Sequence, residues 1–177
     1  MRVAFCGASG TGKSTLVKSL SDLSLPFCPV GSREVSAAMG FASPYDVDAA
    51  GMREEFQRKL LELKSGWEKP RERFITDRTH VDNLCYSILH GMKIDADFMA
   101  AVGSATARYT HIFFCPISAF FDPADDPQRV HDPVYHRNFE MSLMAYLPHY
   151  AAPTCRVTLV TARDLSSRVL QVRSALF

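Results

Sequence analysis

Gly7-Ala8-Ser9-Gly10-Thr11-Gly12-Lys13-Ser14 fits the pattern G-x-x-x-x-G-K-[ST] without a gap, and Thr15 follows it. Residues of these types at this spacing bind polyphosphate. The glycines allow the backbone to turn successive N–H groups inward onto one anion, and a helix opening at Lys13 adds the positive end of its dipole. Lys13 is then expected to reach the β- and γ-phosphates, and the Ser14 hydroxyl to ligate Mg²⁺. ATP and Mg²⁺ are the expected cofactors, seated on residues 7–15.

A second polar group begins at Asp77, immediately after the apolar run 73–76. A carboxylate there can hold the metal's water or accept the proton of an attacking hydroxyl. Arg78 beside it can grip an acceptor phosphate bidentately or neutralise charge on a transferring group. The simpler alternative is that Asp77 caps a helix and Arg78 lies on the surface. His80 and Asp82 fall in the same turn and are candidate substrate contacts, although a lone histidine is more often structural.

These groups need elements to hold them. Residues 2–6 form a short apolar run entering the glycine-rich turn, and residues 13–23 carry Leu16, Val17, Leu20 and Leu23 at helical spacing. Residues 25–30 are a weaker strand candidate, interrupted by Pro26 and Pro29, and residues 32–39 open a second helix. Residues 46–67 read as one amphipathic helix with a charged, solvated face. Strong strands follow at 73–76, 111–115 and 156–160, with helical stretches at 81–90 and 165–176. Asp132-Pro133 reads as an N-cap with proline at the first helical position. Strands alternating with helices imply right-handed crossovers and a parallel sheet covered on both faces. The fold class expected is α/β, three layers in one domain over 1–177, with a mainly parallel sheet of about five strands and a small lid. Ligands in such sheets bind outside the carboxyl ends of the strands, where 7–15, 77–82, 116–137 and 161–164 should converge.

The composition agrees and excludes little else. A chain of 177 residues, 47% hydrophobic and 22% charged, can bury a core without staples. Its net charge of +1 supplies no global attraction to nucleic acid. The five cysteines are widely spaced, without a zinc or redox pairing pattern, and are read as reduced in a cytoplasmic protein, with Cys6, Cys115 and Cys155 as core fillers in or beside strand-like runs. No stretch is long and apolar enough for a membrane span.

The loop at 7–15, Asp77-Arg78-Thr79, Phe56-Gln57 before it and Asp82-Asn83-Leu84-Cys85-Tyr86 after it resemble the small P-loop nucleoside and nucleotide kinases. Within that group the chain looks most like the AAA-type kinase/ATPase domain of nicotinamide riboside kinases and phage deoxynucleotide kinases. Asp77-Arg78-Thr79 resembles the DR[STY] element of thymidylate kinases. The resemblance implies Asp77 as base or metal-shell residue, Arg78 as a phosphate contact and Glu34, in Ser32-Arg33-Glu34, as an acceptor-side residue. It also implies a lid at 122–137 that closes over the phosphates, with Arg129 or Arg137 neutralising transition-state charge. Arg163 follows the last strand, where related kinases place the adenine. Phe41, Tyr45, Phe56, Trp67 and Tyr86 are the aromatic candidates for pocket walls.

The leading expectation is a Mg·ATP-dependent kinase, monomeric or homodimeric, acting on a nucleoside, nucleotide or similar small molecule. A second is phosphorylation of a hydroxyl on a modified base within DNA, as some resembling phage kinases do. For that reading Arg53, Arg58, Lys59, Lys64, Lys69, Arg71 and Arg73 would face the backbone, although glutamates interleave with them. A third is a regulatory NTPase without a kinase acceptor.

Overall fold

Four apolar runs pair as parallel strands, β1 (Arg2–Cys6), β2 (Phe74–Asp77), β3 (His111–Phe114) and β4 (Arg156–Leu159), in the order β2-β1-β3-β4. The computed structural model describes residues 1–122 and 132–177. Eight α-helices accompany the strands among those residues: α1 (Lys13–Lys18), α2 (Ser32–Ala38), α3 (Pro44–Ala49), α4 (Arg53–Glu68), α5 (His80–Leu89), α6 (Ala96–Thr106), α7 (Pro133–Tyr150) and α8 (Leu165–Leu176).

The period-two alternation of the strands sorts the core into two faces. Val3, Phe5, Ile75 and Phe113 point to one side, where Leu16 and Val17 of α1 and Val172 of α8 cover them. Ala4, Cys6, Phe74, Ile112 and Phe114 point to the other, against Leu84, Val102, Phe139 and Leu143 of α5, α6 and α7. The expected three-layer α/β architecture is therefore present. A smaller cluster of Val35, Val47 and Phe56 joins α2, α3 and α4 beside it. All five cysteines are free, and four of them are buried. No helix among the described residues is long and apolar enough to cross a membrane.

Three expectations change. The sheet has four strands rather than about five, because residues 25–30 contribute only a bridge at Phe27 beside Ile75. Ile75 donates to the Pro26 carbonyl and Cys28 donates to the Ile75 carbonyl, both at 2.9 Å. Pro26 and Pro29 have no N–H to extend that ladder. The expected helix over 46–67 is two helices, broken where Gly51 takes a φ of 70°. Helix α6, capped by the Asp95 side chain on the Phe98 N–H, was not expected. Its apolar spacing is diluted by small residues.

Phe113 is fully buried and stacks on Phe5 with ring centroids 5.1 Å apart. Phe113→Ala should lower unfolding free energy by about 3–5 kcal/mol, measured by urea denaturation.

Candidate active site

The loop between β1 and α1 is built by backbone that only glycine takes easily. Gly7 has a φ of 136°, and a Cβ there would collide with the Cys115 carbonyl at the end of β3. Gly12 has a φ of 73°, and a Cβ there would meet Arg168 Nη1 at 2.7 Å. Lys13 folds back across the loop and donates from Nζ to the Ala8 carbonyl at 2.5 Å and to Thr11 Oγ1 at 3.2 Å. It is 4% exposed. Burial, then the positive charge of Arg78, lowers its pKa from 10.5 to about 8. An ammonium held in so dry a cradle is a strong attractor for phosphate, which would supply the missing charge.

Parallel pairing sets Phe5 of β1 opposite Asp77 of β2, so the two strands end together. Ser14, just past the loop, donates its hydroxyl to Asp77 Oδ2. Asp77 Oδ1 is buried with no hydrogen-bond partner. A hydroxyl and a carboxylate in contact, with one carboxylate oxygen unsatisfied, fit a hard divalent cation that takes its remaining ligands from phosphate and water. Arg78 has a φ of 75°, a left-handed conformation costing a non-glycine residue roughly 1–2 kcal/mol. Its Nη1 donates to the Gly7 carbonyl at 3.2 Å and to Asp82 Oδ1 at 3.3 Å. The guanidinium also lies over the Tyr86 ring, 4.9 Å from its centroid.

Asp82 ties these pieces together. Its Oδ1 also accepts from the Gly7 N–H at 3.4 Å, while Oδ2 accepts from the Thr79 N–H and hydroxyl at 2.8 and 2.6 Å. Thr79 and Asp82 form a capping box at the start of α5. The cap is thus Thr79 rather than Asp77, whose carboxylate remains directed at the loop. Both Asp82 oxygens are engaged by the protein itself, at 1% exposure, rather than presented to a substrate. His80 is fully buried, with Nε2 2.9 Å from Glu68 Oε2. Burial pushes its pKa below the usual histidine value despite Glu68, so the neutral ring donates to that carboxylate.

A cavity opens from Asp77 and Arg78 between α2, α3, α4, α5 and α7. Tyr45, Phe56, Tyr86 and Tyr135 supply rings to its lining. Phe41 and Trp67 instead pack into hydrophobic clusters. Gln57 and Asn83 also line it, and Gln57 Oε1 and Asn83 Oδ1 are buried without partners. Two buried acceptors left open among aromatic rings are costly unless a ligand's donors meet them.

The remaining candidates lie further out. Glu34 is exposed on α2, outside the cavity lining, with Oε2 close over Gly31. Arg137 is exposed on α7 and outside the lining, whereas its neighbours Tyr135 and His136 face the cavity. Asp132 does cap α7, accepting from the Val134 N–H, with Pro133 in the first turn. Arg163 is exposed after β4. Arg129 and most of the expected lid lie outside the described residues. Four residues of the basic cluster on and after α4 are ion-paired or buried. Arg53 pairs with Asp48, Arg58 with Glu54 and Asp95, and Lys59 with Glu62, while Lys64 is buried.

Two residues were missed as contributors. Arg168 of α8 is 3% exposed and donates from Nη2 to the Thr11 carbonyl at 2.9 Å, holding the loop from behind. It stands one turn before buried Val172 on the same helix face, which is a charge on an apolar stripe. Lys64 lies on the stripe Gln57, Leu61, Lys64, Glu68, all buried at helical spacing.

A phosphate-binding loop at the carboxyl edge of a parallel sheet, with a carboxylate and a guanidinium facing it from the neighbouring strand, defines a P-loop α/β protein. The chain belongs to the AAA domain family, whose model matches residues 2–164. Its fold is shared with deoxyadenosine kinase from M. mycoides, at 14% identity, TM-score 0.65 and coverage of 99% of this chain and 98% of that one. Thymidylate kinase from Ehrlichia chaffeensis is similar at 16% identity and TM-score 0.64, covering 100% and 98%. Shikimate kinase from Aquifex aeolicus is similar at 16% identity and TM-score 0.61, covering 99% and 96%. No curated protein matches the chain.

The Lys13 pKa of about 8 lies below its ordinary 10.5, so the unfolded chain holds this proton more tightly than the folded one. Lys13 therefore costs stability at neutral pH, and the cost is relieved as pH rises from about 8 toward 10.5. Phosphate binding has the opposite sign. Affinity for ATP should be flat just below about pH 8 and weaken by up to about tenfold per pH unit above it, a trend that calorimetric titration should find absent in Lys13→Met. Arg168→Met should cost about 1.5–3 kcal/mol in urea unfolding through loss of its bond to the Thr11 carbonyl.

Proposed function

We propose that this chain is a Mg·ATP-dependent kinase that transfers the γ-phosphoryl group to a hydroxyl of a nucleoside, nucleotide or similar small molecule. The observation that carries this reading is the contact of Ser14 with Asp77, which joins the phosphate loop to the mouth of a separate, ring-lined cavity. Donor and acceptor then have adjoining seats, as in-line transfer requires. The fold shared with three small-molecule kinases supports it.

In this reading residues 7–15 wrap the polyphosphate with backbone N–H groups, and Lys13 swings from the Ala8 carbonyl onto the β- and γ-oxygens. Mg²⁺ held by the Ser14 hydroxyl, with Asp77 Oδ2 on its water shell, would neutralise charge on those oxygens. Asp77 Oδ1, which has no protein partner, takes the acceptor's proton as its oxygen bonds to the γ-phosphorus and the bond to the β-bridging oxygen breaks, releasing ADP. Arg78 stabilises charge on the transferring group. Gln57 Oε1 and Asn83 Oδ1 accept hydrogen bonds from the acceptor, for which the N–H groups of a base held among the rings are suited. The pairing of Arg53, Arg58 and Lys59 with carboxylates favours a small acceptor over a base within DNA.

ATP consumption should be screened against nucleosides, monophosphates and DNA with modified bases, with phosphorylated products identified by mass. The proposal expects a phosphorylated nucleoside or nucleotide, no turnover in Lys13→Ala, and a kcat lowered about 10²–10⁴-fold in Asp77→Asn with ATP still bound. Release of free phosphate alone with every acceptor would instead support a regulatory NTPase.

A further inference from the structure

The turn that carries Asp77 and Arg78 is fixed at both ends. Upstream, β2 is paired to β1 as far as Asp77, and downstream the capping box of Thr79 and Asp82 starts α5. Arg78 between them takes the left-handed φ of 75°. Extended backbone at residue 78 would turn the Asp77 and Arg78 carbonyls to opposite sides. Here they converge on a single donor, Lys64 Nζ, at 3.0 and 2.6 Å.

Lys64 is 4% exposed, an unusual place for an ammonium unless it has fixed partners. One turn further along α4, Glu68 is 3% exposed and accepts from His80 at 2.9 Å and from the Tyr109 hydroxyl at 3.1 Å. The two side chains therefore grip the turn on either side of Thr79, Lys64 by its carbonyls and Glu68 by the first residue of α5. A buried ammonium bonded only to the backbone of a strained turn is expensive for stability alone. Strain of this kind persists only where the surroundings over-determine it, and it occurs at functional sites.

We infer that Lys64 is a positioning residue which, by bridging the Asp77 and Arg78 carbonyls, holds Arg78 left-handed and so aims its guanidinium at the phosphate loop. It acts through Arg78 rather than on the reactants. If residue 78 relaxed, the guanidinium would leave the Gly7 carbonyl.

The kinetic part of this inference rests on the kinase reading, while the conformational part does not. Lys64→Met preserves the stem and removes the ammonium. In that variant the ¹³Cα and ¹³Cβ shifts of Arg78 should lose their left-handed signature. The kcat should fall roughly 10- to 100-fold, with a smaller change in ATP affinity because Lys13 and the rest of the loop keep their own contacts. Lys64→Arg, which keeps donors in place, should recover most of both. Unchanged Arg78 shifts in Lys64→Met, or changed shifts with full kcat, overturn the inference. Should Lys64→Met fail to fold, adding Arg78→Gly supplies a residue that takes positive φ unaided and should restore folding; a double variant that stays unfolded also overturns it. If the parent protein phosphorylates no acceptor, the kinase reading fails, and the Arg78 shifts still decide the role of Lys64.

Discussion

The parallel ladder between β1 and β2 governs the chemistry of this molecule, because its register sets Phe5 opposite Asp77 and ends the two strands at one level. A slip by one residue would turn Asp77 onto the other face of the sheet and bury Phe74 and Ile75 against the wrong layers. With the register held, Ser14 and Asp77 meet without any long side chain having to reach. Parallel pairing also demands a crossover between the two strands. Residues 7–73 form that crossover and bring the phosphate loop and helices α2, α3 and α4 to the same edge. Both halves of the cleft are thus consequences of one pairing.

The buried charges at this edge are held by hydrogen bonds, most of them to backbone groups. Lys13, Lys64, Asp82 and Glu68 are all buried, and Arg78 lies among them. Each has a partner in the protein: Lys13 the Ala8 carbonyl, Lys64 the two carbonyls of the turn, Asp82 the Gly7 and Thr79 N–H groups, and Glu68 His80 with Tyr109. Breaking any one leaves an uncompensated buried charge, which is far more costly than losing a surface pair. The exception is Asp77 Oδ1, left without a partner where substrate and metal would meet. A carboxylate so placed is available for chemistry because its surroundings are otherwise satisfied.

The opposite wall of the cleft follows a different logic. Tyr45, Phe56, Tyr86 and Tyr135 come from four helices and give the cavity flat, apolar surfaces. Gln57 and Asn83 place polar groups among them, and Asn83 Nδ2 donates to the Gln57 carbonyl at 3.1 Å, which fixes the direction of its free oxygen. Flat apolar surfaces with a few oriented acceptors suit recognition by shape and hydrogen bonding, beside the charged Arg53, Asp77 and Arg78 that share the lining.

The sequence by itself determined the phosphate loop, the three-layer α/β class and the pairing of Asp77-Arg78 with that loop. Glycine spacing, a lysine at a helix start and apolar runs of strand length are local signals, readable without knowing the partners. The weak strand at 25–30 was legible too, since its prolines announce the missing donors that reduced it to a bridge. Tertiary structure alone decided the rest. Asp82 and His80 share a turn with Asp77, yet one is drawn into the capping box and the other into the core by Glu68, a residue twelve positions away. In the sequence Lys64 falls within a basic cluster and Arg168 is not singled out, because a sequence shows a charge without its direction. Only the packing of α4 and α8 against the sheet turned them inward, onto backbone carbonyls that a sequence does not display.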